Sequence, residues 1–149
     1  MARILLIEDD RHSSVIMSRV LERAGHEVIA AYEGITGVRL LHTAPIDLIL
    51  LDQGLPDLGG QAISALIRRV PDHPHIVAIS ASNDISVSQR ALADGCVGFI
   101  QKPIDTRTFH QQVEVYLPAV TQQTHPTLSD KNAPDRDALD LPPRISPVL

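Results

Sequence analysis

Four apolar runs in this chain each end at a polar residue of a different kind. Ile4-Leu5-Leu6-Ile7 leads into Glu8-Asp9-Asp10, and Leu48-Ile49-Leu50-Leu51 leads into Asp52. Ile76-Val77-Ala78-Ile79 ends at Ser80, and Val97-Gly98-Phe99-Ile100 ends at Gln101-Lys102-Pro103. Carboxylates, a hydroxyl and an ammonium are what phosphoryl transfer needs: a nucleophile or metal ligand, a hydrogen-bond donor and a cation. One acid or serine after a strand is ordinarily a cap or turn former. The joint placement of four such ends points to chemistry.

These residues meet only if the runs are neighbouring parallel strands, with every polar group at a carboxyl end, where open α/β sheets place ligands. Short apolar runs near 3–8, 27–31, 47–51, 75–80 and 97–101 alternate with segments of helical period near 12–24, 35–43, 60–70, 85–94 and 106–117. Gly25 and Gly95 follow helical stretches where a left-handed cap is wanted. Asp84 and Asp105 precede helical stretches as N-caps, and Gly59-Gly60 after Pro56-Asp57 marks a turn into the third helix. The expected fold class is α/β: a doubly wound, five-stranded parallel sheet of order 2-1-3-4-5 within three αβα layers, the flavodoxin-like arrangement. The switch point then lies between the first and third strands, and Glu8 and Asp9 approach Asp52.

Three carboxylates about 5 Å apart repel by roughly 3 kcal/mol per pair at an effective dielectric near 20. A positive group must sit among them, and Lys102 and a divalent cation are compatible candidates. Hard oxygen donors in small number suit Mg²⁺, with Mn²⁺ as the alternative. No histidine adjoins these acids, and His73-Pro74-His75 sits at the start of a strand, so that pair reads as loop residues.

The chain has 149 residues with 44% apolar content, enough for one full core. Cys96 is the one cysteine, so no internal bridge forms; it reads as a buried packing residue suited to a reducing cytosol. A net charge of −5 without a basic cluster argues against direct nucleic-acid binding. No apolar run approaches the roughly 20 residues that cross a bilayer, and the acidic start is no signal peptide. A soluble, cytoplasmic protein with protein partners is expected. After Leu117 six of the 11 prolines fall among Thr, Gln, Ser and Asp. Residues 1–118 are therefore expected to fold as one domain, and 119–149 to form a disordered tail or cut linker.

Taken together, Ile4 to Asp10, Asp47 to Gly60, Val77 to Ala81 and Gly98 to Ile104 resemble the receiver domain of two-component response regulators. The resemblance covers about residues 2–118, and the pieces in this order are highly specific. It implies Asp52 as phosphoacceptor, with Glu8, Asp9, Asp52 and the Gly54 backbone carbonyl as the Mg²⁺ set. It also implies Ser80 as the hydroxyl switch, Ala81 as the small residue after it, Lys102 as the phosphoryl-binding lysine and Phe99 as the aromatic switch. A cis bond before Pro103 is implied too. Asp52, Lys102 and Ser80 would carry the self-directed chemistry, transfer to Asp52 and its hydrolysis, so the chain is not an enzyme acting on other molecules. Gly54 and Ser82 occupy places that influence the hydrolysis rate, and Asp10 reads better as a loop or helix-capping acid.

The implied partners are a histidine kinase or histidine phosphotransfer protein, docking near Arg11, Ser14, Val15 and Pro103-Ile104. A downstream protein would bind the face of helix 4, strand 5 and helix 5, and a homodimer on phosphorylation is a further implication. No DNA-binding domain follows, so the first expectation is a single-domain regulator. The alternatives are a receiver fragment of a larger regulator or hybrid kinase, and a phosphorylation-independent interaction domain. A haloacid-dehalogenase-type phosphatase would want an acid at position 54, where glycine stands. A nucleotide or flavin module would want a phosphate-binding loop where Glu8-Asp9-Asp10 would repel phosphate.

Overall fold

The computed structural model describes residues 1–118; the tail expected over 119–149 lies outside the described residues. Five strands, β1 (Arg3–Ile7), β2 (Glu27–Ala31), β3 (Leu48–Asp52), β4 (His75–Ser80) and β5 (Gly98–Gln101), form one sheet of order β2-β1-β3-β4-β5. Every pairing is parallel. The helices between and after them are α1 (Arg11–Arg23), α2 (Gly34–Leu40), α3 (Gly60–Arg68), α4 (Ile85–Ala93) and α5 (Phe109–Glu114).

Alternation along each strand divides the core in two, because side chains two apart share a face. Ile4, Leu6, Leu48, Leu50, Val77, Ile79 and Ile100 pack with Met17 and Leu21 of α1 and Phe109 and Val113 of α5. Leu5, Ile7, Ile49, Leu51, Ile76 and Ala78 pack with Ile63 and Ile67 of α3 and Ala91 of α4. Residues 48 to 52 are buried throughout, as expected of a central strand covered on both faces. This rigid middle places Asp52 between the ends of β1 and β4.

Two helices are shorter than the sequence suggests. At α2, the N–H groups of Leu41, His42 and Thr43 each bond three residues back, so the expected end at 43 tightens into 3₁₀-like turns. At α5, the Asp105 carboxylate takes the Arg107 N–H at 2.9 Å and caps a turn over Thr106 to Thr108, delaying the helix to Phe109. β-branched threonines favour that delay. Asp84 caps α4 as expected, through the Ser86 N–H at 2.9 Å. Gly25 and Gly95 take φ of 97° and 101°, the left-handed conformation foreseen for them.

Candidate functional site

Parallel register brings the four polar ends to one edge. Ile7 pairs with Leu51, Asp52 with Ile79, and Ser80 with Gln101, so each chemical residue is within one position of its neighbour's level. One carboxylate oxygen from each of Glu8, Asp9 and Asp52 lies within 4.8 Å of the others. Glu8 and Asp52 are buried, whereas Asp9 is exposed. The crevice is acidic at its base and open on the Asp9 side.

The local cations and donors distribute unevenly among these oxygens. Lys102 Nζ pairs with Glu8 Oε1 and stands 3.8 Å from Asp52 Oδ2. The other Glu8 oxygen accepts the Asp10 N–H at 3.1 Å, and Asp52 Oδ1 accepts the Gly54 N–H at 3.0 Å. One ammonium among three carboxylates leaves an excess of two negative charges if all three are ionised. Burial first, then the adjacent Glu8 carboxylate, push the Asp52 carboxyl above its usual range, while the Gly54 N–H and Lys102 pull against them. For Lys102, burial acts to lower its pKa, but the Glu8 bond and the charges of Asp52, Glu8 and Asp9 outweigh it and raise the value.

Two or three hard oxygen donors with uncompensated charge fit a divalent cation such as Mg²⁺, which keeps several waters of its own. Among the described residues this is the one group of three such side chains placed to hold a metal.

The remaining expected residues fall around this group. Ser80 is buried, and its Oγ accepts the Ser82 N–H at 3.1 Å. Ala81 is exposed beside it. The Lys102 N–H bonds the Ser80 carbonyl at 2.8 Å, and the Lys102–Pro103 bond is cis. Phe99 is half-buried against the core layer that contains α3 and α4. Asp10 caps α1 through the His12 N–H at 3.2 Å and the Ser13 hydroxyl at 2.8 Å, apart from the acidic group. Arg11 lies over the Tyr32 ring at 4.1 Å, Ser14 is buried and Val15 is exposed. His73 bonds the Pro74 carbonyl in the loop expected of it, whereas His75, also expected in the loop, is the exposed first residue of β4 and pairs with Leu48. Cys96 is buried beside Ser64, and that burial raises its thiol pKa.

Sequence reasoning placed Lys102 among these acids, as found, but did not choose Glu8 as its nearest partner and missed the part played by Asp57. Its carboxylate accepts the N–H groups of Gly34 and Ile35, both at 3.2 Å. The absence of a capping side chain at the start of α2 was the available signal, since Glu33 makes no cap bond.

A doubly wound sheet with an acidic crevice, a lysine and a serine at its carboxyl edge defines a class, and the comparisons agree with it. Residues 4–114 match the response regulator receiver domain family, and the chain belongs to that family. It is 33% identical over 117 residues to the transcriptional regulatory protein AfsQ1 of Streptomyces coelicolor, covering 78% of this chain and 52% of that one. It is 28% identical to the aerobic respiration control sensor protein ArcB of Escherichia coli, covering 93% of this chain and 18% of ArcB. The chain thus spans about half of one relative and a small part of the other. The high-resolution structure of the chemotaxis response regulator CheY4 of Vibrio cholerae shares the fold, with a TM-score of 0.74 and 24% identity over 78% of this chain and 99% of that one. Among the described residues no helix is long and apolar enough to cross a membrane.

Proposed function

We propose that this receiver domain accepts a phosphoryl group on Asp52 from a histidine kinase or histidine phosphotransfer protein and thereby switches a protein-binding face. The observation that carries this is the meeting of Glu8, Asp9 and Asp52 within 4.8 Å, with Lys102 reaching two of them. An Asp52 oxygen forms the new O–P bond while the N–P bond of a phosphohistidine breaks, and the departing imidazole nitrogen keeps the electron pair. Lys102 sits where it can neutralise charge on the transferred oxygens. The Ser80 oxygen already accepts the Ser82 N–H, and its own proton remains available to donate. Glu8, Asp9, Asp52 and the Gly54 carbonyl would hold Mg²⁺ or Mn²⁺, which supplies further charge neutralisation when bound.

Hydrolysis reverses the modification: a water oxygen forms a new bond to phosphorus as the Asp52 O–P bond breaks, inorganic phosphate leaves with the water's protons, and the Asp52 carboxylate returns. The chain would act on itself alone, in the cytoplasm, and pass the signal through α4, β5 and α5 by way of Ser80 and Phe99. Donor docking would fall to the start of α1, around Arg11 and Val15, and to Pro103-Ile104; Ser14, expected there from the sequence, is buried and offers no surface to a partner. A second reading, a receiver segment of a longer regulator or hybrid kinase, is favoured by the partial share of AfsQ1 (52%) and ArcB (18%) that the chain spans.

Incubation with Mg²⁺ and acetyl phosphate is expected to add one phosphoryl group by intact mass, and chelation or Asp52→Asn to abolish the addition. Labelling that persists in Asp52→Asn, or none in the wild type, would refute the proposal.

A further inference from the structure

The segment between Asp52 and α3 carries the acceptor at one end and Gly54 just beyond it. Its start is anchored by the Gln53 N–H on the Ile79 carbonyl at 2.9 Å and by the Gly54 N–H on Asp52. Its middle is tied differently: Leu55 is buried, and Asp57 reaches across to α2 with both carboxylate oxygens.

That cap comes from outside the helix it caps. Glu33 makes no side-chain cap bond, and the first turn of α2 contains no acid. Packing then fixes α2 against α3, because a β-carbon on Gly34 would lie 2.3 Å from Ile63 Cδ1, a fully buried side chain. Likewise a β-carbon on Gly37 would meet Ile7 Cδ1, on the strand beside Asp52, at 2.4 Å. The end of α2 is thus a fixed point on the core, and Asp57 fastens the otherwise exposed turn at Pro56-Asp57 to it.

We propose that Asp57 is a positioning residue for the acceptor site: by tying the β3–α3 segment to the start of α2, it holds Asp52 and Gly54 in the arrangement that binds the divalent cation. The inference rests on the phosphoacceptor reading above. Asp57 itself touches neither the cation nor the phosphoryl group. Its influence is geometric, and this separates it from an exposed acid that acts only through charge.

The test is Mn²⁺ affinity by electron paramagnetic resonance titration of the full chain, comparing wild type, Asp57→Ala, Asp57→Asn and Asp52→Asn. Asp57→Ala is expected to bind Mn²⁺ about three- to tenfold more weakly, since both bonds go. Asp57→Asn, whose single carbonyl oxygen keeps one bond and whose charge is gone, should fall between Asp57→Ala and wild type. Equal weakening in Ala and Asn would show that charge alone matters and overturn the proposal. Wild-type affinity in Asp57→Ala would overturn it too, while leaving the acceptor reading intact if Asp52→Asn still loses affinity. Wild type without Mn²⁺ binding would overturn both. The Asn variant keeps the test decisive if Asp57→Ala does not fold.

Discussion

The two ends of one sheet handle charge in opposite ways. At the amino ends, Arg3 Nε bonds Glu27 at 3.0 Å, the Arg3 N–H bonds Asp47 at 2.8 Å, and His26 lies between the Ala2 N–H and Glu114. Glu27, Asp47 and Glu114 there each have a complementary partner. At the carboxyl ends, Glu8, Asp9 and Asp52 crowd together with Lys102, and Asp52 is pushed towards its neutral form by burial and by Glu8. The strands, their register and their burial are shared by both ends. Like charges crowd at the end where we propose that the cation and the phosphoryl group bind, and opposite charges pair at the other.

Lys102→Ala should have the largest effect on that contrast. The variant should still bind Mn²⁺, but acetyl phosphate labelling should slow by about 100-fold, the scale of losing one donor to a developing charge. A rate like wild type would show that the ammonium serves only as Glu8's partner.

Asp52→Asn should act on stability with the opposite sign from most buried substitutions. A carboxyl whose folded pKa is raised contributes stability that is fully present below its ordinary value of 3.8 and is lost as pH rises through the folded value. Replacing Asp52 by a neutral isostere should therefore stabilise the cation-free protein at pH 7, with the gain vanishing below the ordinary Asp range. Thermal melts in chelator at the two pH values check this, and a destabilised variant at pH 7 would contradict it. Smallest of all is Glu27→Gln at the paired end. It should cost no more than about 1 kcal/mol and leave the labelling rate unchanged. A labelling defect there would mean that the two ends are not separable.

Much of this contrast is legible in the sequence, and particular residues show why some is not. Ile4 to Ile7 and Leu48 to Leu51 announce buried parallel strands because continuous apolar runs of that length, flanked by helical segments, have few other folds open to them. Asp84, Gly25 and Gly95 mark ends because capping chemistry is local. The shortened α5 is harder to foresee, since Asp105 can start either a helix or a turn and Thr106 to Thr108 tip the balance. The Lys102–Glu8 pairing and the Asp57 tie depend on side-chain reach across 94 and 23 residues of sequence, which no local pattern encodes.

Covalent modification at Asp52 is open to a direct chemical test. Treating the Mg²⁺ and acetyl phosphate reaction with borohydride converts an aspartyl phosphate to homoserine, and peptide sequencing by mass spectrometry then locates it. Homoserine at position 52 alone is the predicted result. A phosphoryl group found on Ser80 or elsewhere, with position 52 still aspartate, would contradict the account.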